Sequence, residues 1–265
     1  LKLLAIDEAD LMLDLGFYKD IDDLIKYLPR QRQTLFFSAT INEKIKKLAY
    51  SLVKNAIRIQ ISPKDPVSKN VTHSVMFVSM DDKRFFLERI VNENPESRIL
   101  VFVRTKVRAE RVFEAMNRVG IKSLTMHGGK DQDSRLEVMN EFKTGAINLL
   151  IATDISARGV DIANVDYVVN YDLPDVAENY VHRVGRTGRG NQKGVAVSFC
   201  SNEEKPILEE IEQFMDKKIT VLEVKKADYS ETLALTEDVN DNWKKLIQDF
   251  EKEEKAYQGK KKKKK

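Results

Sequence analysis

Residues His182-Arg183-Val184-Gly185-Arg186-Thr187-Gly188-Arg189 place three arginines and a histidine within eight positions. Like charges this close repel, so the segment is expected to face a compensating anion rather than serve the fold alone. A triphosphate is such an anion. Arg186 and Arg189, separated only by Thr187-Gly188, could then act as paired arginine fingers on a γ-phosphate. Elsewhere that role is worth about 10³ to 10⁵ in rate.

A second constellation lies at the other end of the chain. Leu3-Leu4-Ala5-Ile6 reads as a buried strand, and Asp7-Glu8-Ala9-Asp10 follows at its carboxyl end, where open α/β sheets bind ligands. In such a segment Asp7 suits a magnesium ion and Glu8 suits orienting or deprotonating an attacking water, the plainer alternative being a helix cap. Further on, Thr34-Leu35-Phe36-Phe37 runs into Ser38-Ala39-Thr40, two hydroxyls at the mouth of the same inferred sheet. Thr40 or Asn42 could equally be an N-cap.

Asp-Glu-Ala-Asp followed at this interval by Ser-Ala-Thr resembles the DEAD-box family of ATP-dependent RNA helicases, and further motifs of that family follow in order over residues 1 to 218. Ile99-Leu100-Val101-Phe102-Val103-Arg104-Thr105-Lys106 is similar to an RNA-contacting segment, which implies RNA-binding roles for Arg104 and Thr105. Gln132 and Arg135 match a Gln-x-x-Arg element, and His127 precedes Gly128-Gly129, a turn that in the family lies near RNA. His73 and His127 match no metal-ligand spacing and read as ordinary histidines. Leu150 to Asp161 joins a buried strand to a polar turn in which Thr153 can meet an RNA phosphate and Asp161 a ribose hydroxyl of the nucleotide. The resemblance also implies that His182 and Arg183 tie their lobe to Asp10, Ser38 and Thr40, and that ATP, Mg²⁺ and RNA, held mainly by its sugar-phosphate backbone, are the partners. The tail from about Thr220 looks like bacterial RhlE-type members. A non-enzymatic RNA-binding or annealing module, or a DNA helicase, would be built on similar lobes.

The elements that must position these residues alternate between short apolar runs and amphipathic stretches, which predicts an α/β fold of two RecA-like parallel-sheet lobes. The first lobe, residues 1 to 62, is expected to have strands at Leu3–Asp7, Thr34–Ser38 and Ala56–Ile61, with helices at Lys19–Tyr27 and Asn42–Val53. Two prolines, Pro63 and Pro66, mark a linker over 63 to 72. The second lobe, 73 to 218, is expected to have six strands, at His73–Ser79, Ile99–Val103, Lys122–Met126, Asn148–Ala152, Tyr167–Tyr171 and Gly194–Cys200, with five helices between them. Residues 219 to 265 read as a charged tail with a helix near Asn240–Tyr257 and six closing lysines.

Three strands are few for a first lobe, the chain starts without methionine inside one of them, and no Gly-x-x-x-x-Gly-Lys-Ser/Thr occurs among the 265 residues. The expectation is a chain lacking the front of its first lobe and inactive by itself. Net charge is +3 although 33% of residues are charged, so local clusters rather than the global field must attract a polyanion. Nothing approaches the roughly 18 apolar residues of a membrane span, and Cys200 has no partner for a disulfide. A cytoplasmic protein is expected.

Overall fold

In a computed structural model the chain divides into two compact units, Leu1–Ser62 and Pro63–Lys265. The structure describes residues 1–14, 16–38, 43–53, 55–60, 67–154, 162, 165–188, 190, 192–223, 229–230 and 232. Thr40, Asp161, Arg189, the linker prolines, the helix expected at 240–257 and the closing lysines lie outside those residues.

In the first unit, β1 (Leu3–Ile6) and β2 (Gln33–Phe36) pair in parallel, Leu3 opposite Gln33 and Ile6 opposite Phe36. Helices α1 (Ala9–Asp14), α2 (Tyr18–Lys26) and α3 (Glu43–Leu52) accompany them. Ile45, Leu48 and Leu52 recur at helical spacing on the buried side of α3, and Leu48 and Leu52 join Ile6, Ala9 and Ile21 in a small core. The expectation that β1 is a buried strand is corrected: only Ile6 is buried, and Leu3 is 48% exposed. Each of the two strands has one described neighbour, so part of its apolar surface stays uncovered. The strand expected over Ala56–Ile61 is absent among the described residues 55–60, where Ile57 and Ile59 are both exposed. Alternating isoleucines imitate a strand, but without a ladder partner the pattern does not make one.

The second unit is built on a seven-stranded sheet in the order β5-β6-β4-β7-β8-β3-β9, every neighbouring pair parallel. The strands are β3 (Val71–Phe77), β4 (Ile99–Val103), β5 (Leu124–Met126), β6 (Leu149–Thr153), β7 (Tyr167–Asn170), β8 (Gly194–Cys200) and β9 (Thr220–Val221). All five residues of β4 and all five of β6 are buried, as expected where helices cover both faces of a parallel sheet. Side chains alternate between two cores. Leu100 and Phe102 face the layer of α6 (Gln132–Thr144), α7 (Ala177–Val184) and α8 (Lys205–Met215), whereas Ile99, Val101 and Val103 face α4 (Lys83–Glu93) and α5 (Lys106–Arg118).

The sheet runs past the boundary read at 218. β9 pairs with β3, Leu222 donates its N–H to Val75 O at 2.8 Å, and Ile219 is buried. Tyr229 packs 5.0 Å from the Phe86 ring and donates its hydroxyl to Asp82 at 2.7 Å, while Thr232 is buried and accepts from Arg89 at 2.8 Å. Charge dominates this stretch and hides its few anchoring residues. Among the described residues no helix is long and apolar enough to cross a membrane.

Candidate functional site

In the first unit the acidic segment and the hydroxyl segment leave adjacent strands. Phe37 N–H donates to Ile6 O at 2.8 Å and Ala9 N–H donates to Phe37 O at 3.1 Å, so the ends of β1 and β2 are stitched together just before Ser38. The stitch brings Asp7, Glu8 and Asp10 beside Ser38. Glu8 adopts φ +47°, a left-handed conformation uncommon outside glycine, and its carbonyl accepts Met12 N–H to start α1. Strain of this kind persists where the surroundings over-determine it, often at functional sites. Asp7 stays exposed, with one oxygen accepting Glu8 N–H at 2.9 Å.

Among the described residues no cluster of three or more metal-ligating side chains exists. A magnesium ion bound through one carboxylate, waters and ligand phosphates needs no such cluster, and Asp7 fits that mode. The cradle for the phosphates has no counterpart in the sequence.

In the second unit the expected residues gather at the carboxyl edge of the sheet. Thr105 follows β4, and its hydroxyl accepts Arg108 N–H at 3.1 Å as the N-cap of α5. Gln132 opens α6, which Asp131 caps by accepting Ser134 N–H at 2.8 Å; Arg135 lies one turn on. Thr153 ends β6 and is buried. His127 follows β5 and begins the short turn over Gly128-Gly129: its Nδ1 accepts Gly129 N–H at 3.2 Å, which leaves the proton on Nε2 to donate to Glu110 at 2.6 Å. Glu110 also accepts the Thr125 hydroxyl at 3.1 Å. Burial alone would raise the Glu110 carboxyl, but these hydrogen bonds from His127 and Thr125 hold it below the ordinary glutamate value. His127 thus holds the Gly128-Gly129 turn to α5.

The arginine segment behaves differently from its sequence reading at one position. Arg183 is 1% exposed, and its guanidinium grips Asp154 with two bonds of 2.7 and 2.8 Å while also donating to Asn170 at 3.3 Å and to Asp172 O at 2.7 Å. The expectation that an external anion compensates Arg183 is corrected: its counter-ion, Asp154, is internal to the second unit. His182 lies in the last turn of α7. Arg186 follows α7 and is 8% exposed, packed within its own unit rather than extended into solvent. Thr187 donates its hydroxyl to Val165 O, and a side chain at Gly194 would collide with Thr187 Oγ1, so Thr187 lies tightly against the start of β8.

Beneath this edge runs an ion network that the sequence reading missed. Lys83, fully buried, donates to Glu204 at 2.5 Å and to Tyr171 O at 2.7 Å and lies 3.7 Å from Asp172. Glu204 also accepts Arg104 Nη2 at 2.8 Å, Leu173 N–H at 3.2 Å and Ser201 N–H at 3.0 Å. Asp172 accepts Arg104 N–H at 3.2 Å and lies 3.4 Å from Arg108. Lys83, Arg104, Arg108 and Arg183 therefore meet Glu204, Asp172, Asp154 and Asp175 in balanced charge, Asp175 being 3.5 Å from Arg104. Arg104, expected to contact RNA, is partly exposed and pairs with Glu204 and Asp175. The signal was present in Tyr171-Asp172-Leu173-Pro174, an acid directly after an apolar strand, the same pattern that singled out Asp7.

Comparison with known proteins matches residues 1–48 to the DEAD/DEAH box helicase model and residues 82–191 to the helicase conserved C-terminal domain. DbpA of Bacillus subtilis, an ATP-dependent RNA helicase, is 41% identical over 224 residues, covering 84% of this chain and 47% of its own length. RhlB of Shewanella amazonensis is 37% identical, covering 83% of this chain and 51% of its own. The chain thus spans about half the length of these curated relatives. Among solved structures, S. cerevisiae Dbp5 bound to RNA and ADP BeF3 superposes with a TM-score of 0.77 at 30% identity, over 90% of this chain and 63% of that one. A DEAD box protein from Methanococcus jannaschii gives 0.57 at 34% identity, over 84% and 60%. With the acidic and hydroxyl segments on one unit, the arginine segment on the other, and both halves of the pattern matched in order, the chain belongs to the DEAD-box helicase family.

Proposed function

We propose that these two units serve an RNA-stimulated ATPase that separates RNA duplexes locally. The observation that carries this reading is the stitched pair of strand ends that sets Asp7, Glu8 and Asp10 beside Ser38, on a chain that also bears the arginine segment. A relative of the same fold, Dbp5, has been solved with RNA and ADP BeF3. In this reading Asp7 holds Mg²⁺ and Glu8 activates water. Arg186 and Arg189 face the γ-phosphate, Asp161 meets the ribose, and His182 with Asp10, Ser38 and Thr40 couples the lobes. Thr105, Gly128, Gln132, Arg135 and Thr153 contact RNA phosphates and sugars, so sequence preference is slight. Arg104 and Arg183 brace the site from inside the second unit. The single, buried Cys200, whose thiol burial pushes up to about 11, suits the reducing cytoplasm.

Because the phosphate loop has no counterpart in these 265 residues, the chain alone is expected to turn over no ATP, with or without RNA. Joining the phosphate-loop half of DbpA ahead of Leu1 should create RNA-stimulated turnover, abolished by Arg189→Ala with RNA binding retained. A chimera that binds nucleotide and RNA yet never hydrolyses would overturn the enzyme reading in favour of an RNA-binding or annealing module.

A further inference from the structure

A groove of about 820 Å³ runs between α4 and α5 on the second unit. Two of its lining residues, Lys106 and His127, are chain neighbours of Thr105 and Gly128, so the groove opens where the RNA-facing edge ends. Its lining carries five cations, Arg84, Lys106, Arg108, Arg111 and Arg118, against three acids, Asp81, Glu110 and Glu114. Arg108 is already paired with Asp172, so Arg84, Lys106, Arg111 and Arg118 remain to face Asp81, Glu110 and Glu114, a local excess of one positive charge. Among the described residues Lys106 and Arg111 are exposed and have no hydrogen-bond or ion partner.

The spacing of these cations suits an extended ligand rather than a point anion. A helix rises 1.5 Å per residue, so Lys106, Arg111 and Arg118 are strung along about 18 Å of α5. Between the cations lie Val107, Ala115 and Met80, apolar surface that a base can cover without being read by hydrogen bonds. Val107 is 54% exposed, so the surface is open to a ligand. Arg84 adds a guanidinium stacked 4.4 Å from the Phe85 ring.

We propose that this groove is a second RNA subsite, taking the single strand onward from Thr105 and Gly128 and holding it by phosphate contacts with Arg111 and Arg118 and by base contacts with the apolar floor. The proposal rests on the reading that Thr105 and Gly128 face RNA. An acidic peptide shares the charge complementarity, but the groove's continuity with that edge favours RNA.

The test uses the 265-residue chain at low salt and two labelled oligouridines. One is just long enough to bind detectably; the other is extended by about five nucleotides, within the range of single-strand site sizes. The wild type should bind the longer strand more tightly and with a steeper salt dependence. Arg111→Glu with Arg118→Glu, both on exposed positions of α5, should remove that gain, at least tenfold on the longer strand, while affinity for the shorter strand changes less than twofold. The log–log salt slope for the longer strand should fall by about 1.4, two contacts at roughly 0.7 each. Arg111→Lys with Arg118→Lys should keep most of the gain. Equal effects on both strands, or none on either, would overturn the subsite. If neither strand binds the wild type at all, the underlying RNA reading fails instead. An acidic peptide that binds the groove and is lost in the charge-reversed variant, with RNA binding untouched, would assign the groove to a protein partner.

Discussion

Among the described residues three aspartates leave the carboxyl ends of strands, one in the first unit and two in the second, and they are in different physical states. Asp7 is exposed and takes one N–H from its own neighbour. Asp154 is gripped by Arg183, and Asp172 is 2% exposed between Arg104, Arg108 and Lys83. The local sequence pattern is the same in each. What differs is the sheet: β1 has one described neighbour, whereas β6 and β7 each have two and are covered on both faces. An acid at the rim of a deep sheet is drawn into the fold, and one at the rim of a shallow sheet stays open to a ligand.

The comparison breaks most readily at Lys83. Lys83→Ala leaves Glu204 and Asp172 buried without their common cation and should destabilise the second unit by about 3 to 5 kcal/mol, while amide exchange in the first unit stays unchanged. Replacing Lys83 and Glu204 together by apolar residues should recover much of that loss, less whatever Arg104 forfeits. A cost below about 1 kcal/mol for the single change, read from denaturant unfolding, would mean the second unit does not depend on its internal ions.

Next come matched changes at the aspartates. Asp154→Asn weakens a bidentate charged grip and should cost about 1.5 to 3 kcal/mol. Asp7→Asn should leave unfolding within about 0.5 kcal/mol, as expected for an exposed side chain, yet abolish magnesium-dependent nucleotide binding in the DbpA chimera. Equal stability losses would erase the distinction drawn between a ligand-facing acid and a bracing one.

A smaller effect is expected at His127. Phenylalanine there fills the space but removes the acceptor for Gly129 N–H and the donor to Glu110, for about 1 to 3 kcal/mol and faster exchange of the Gly129 amide.

The smallest effect is the pH dependence of the same pair. Glu110 titrates below its ordinary value in the folded chain, so its contribution is present above the unfolded value of about 4.3 and is lost as pH falls through the lower folded one. Stability measured across that acid window should fall less steeply in His127→Phe than in the wild type.

The second unit was legible because its strands are continuous apolar runs: β4 and β8 lie where the sequence placed them, at Ile99–Val103 and Gly194–Cys200. Ala56–Ile61 misled because alternation identifies a face but not a partner. β9 was hidden because two residues are too short for periodicity, and only the exchange of hydrogen bonds with β3 reveals it. In the site, motif spacing located Asp7, Ser38 and Thr105, each next to a strand end. It did not reveal the internal partners of Arg183 and Arg104, since these are Asp154 and Glu204, 29 and 100 positions away. Such distances in sequence carry no local signature.

The enclosed position of Lys83 has a practical consequence. This chain is rich in surface lysines, which an amine-reactive label would modify at once, whereas an ammonium with no exposed surface can be reached only when its surroundings open. Lys83 is therefore a built-in clock: the rate at which it acquires label, read by mass spectrometry against the lysines around it, reports how often the second unit comes apart.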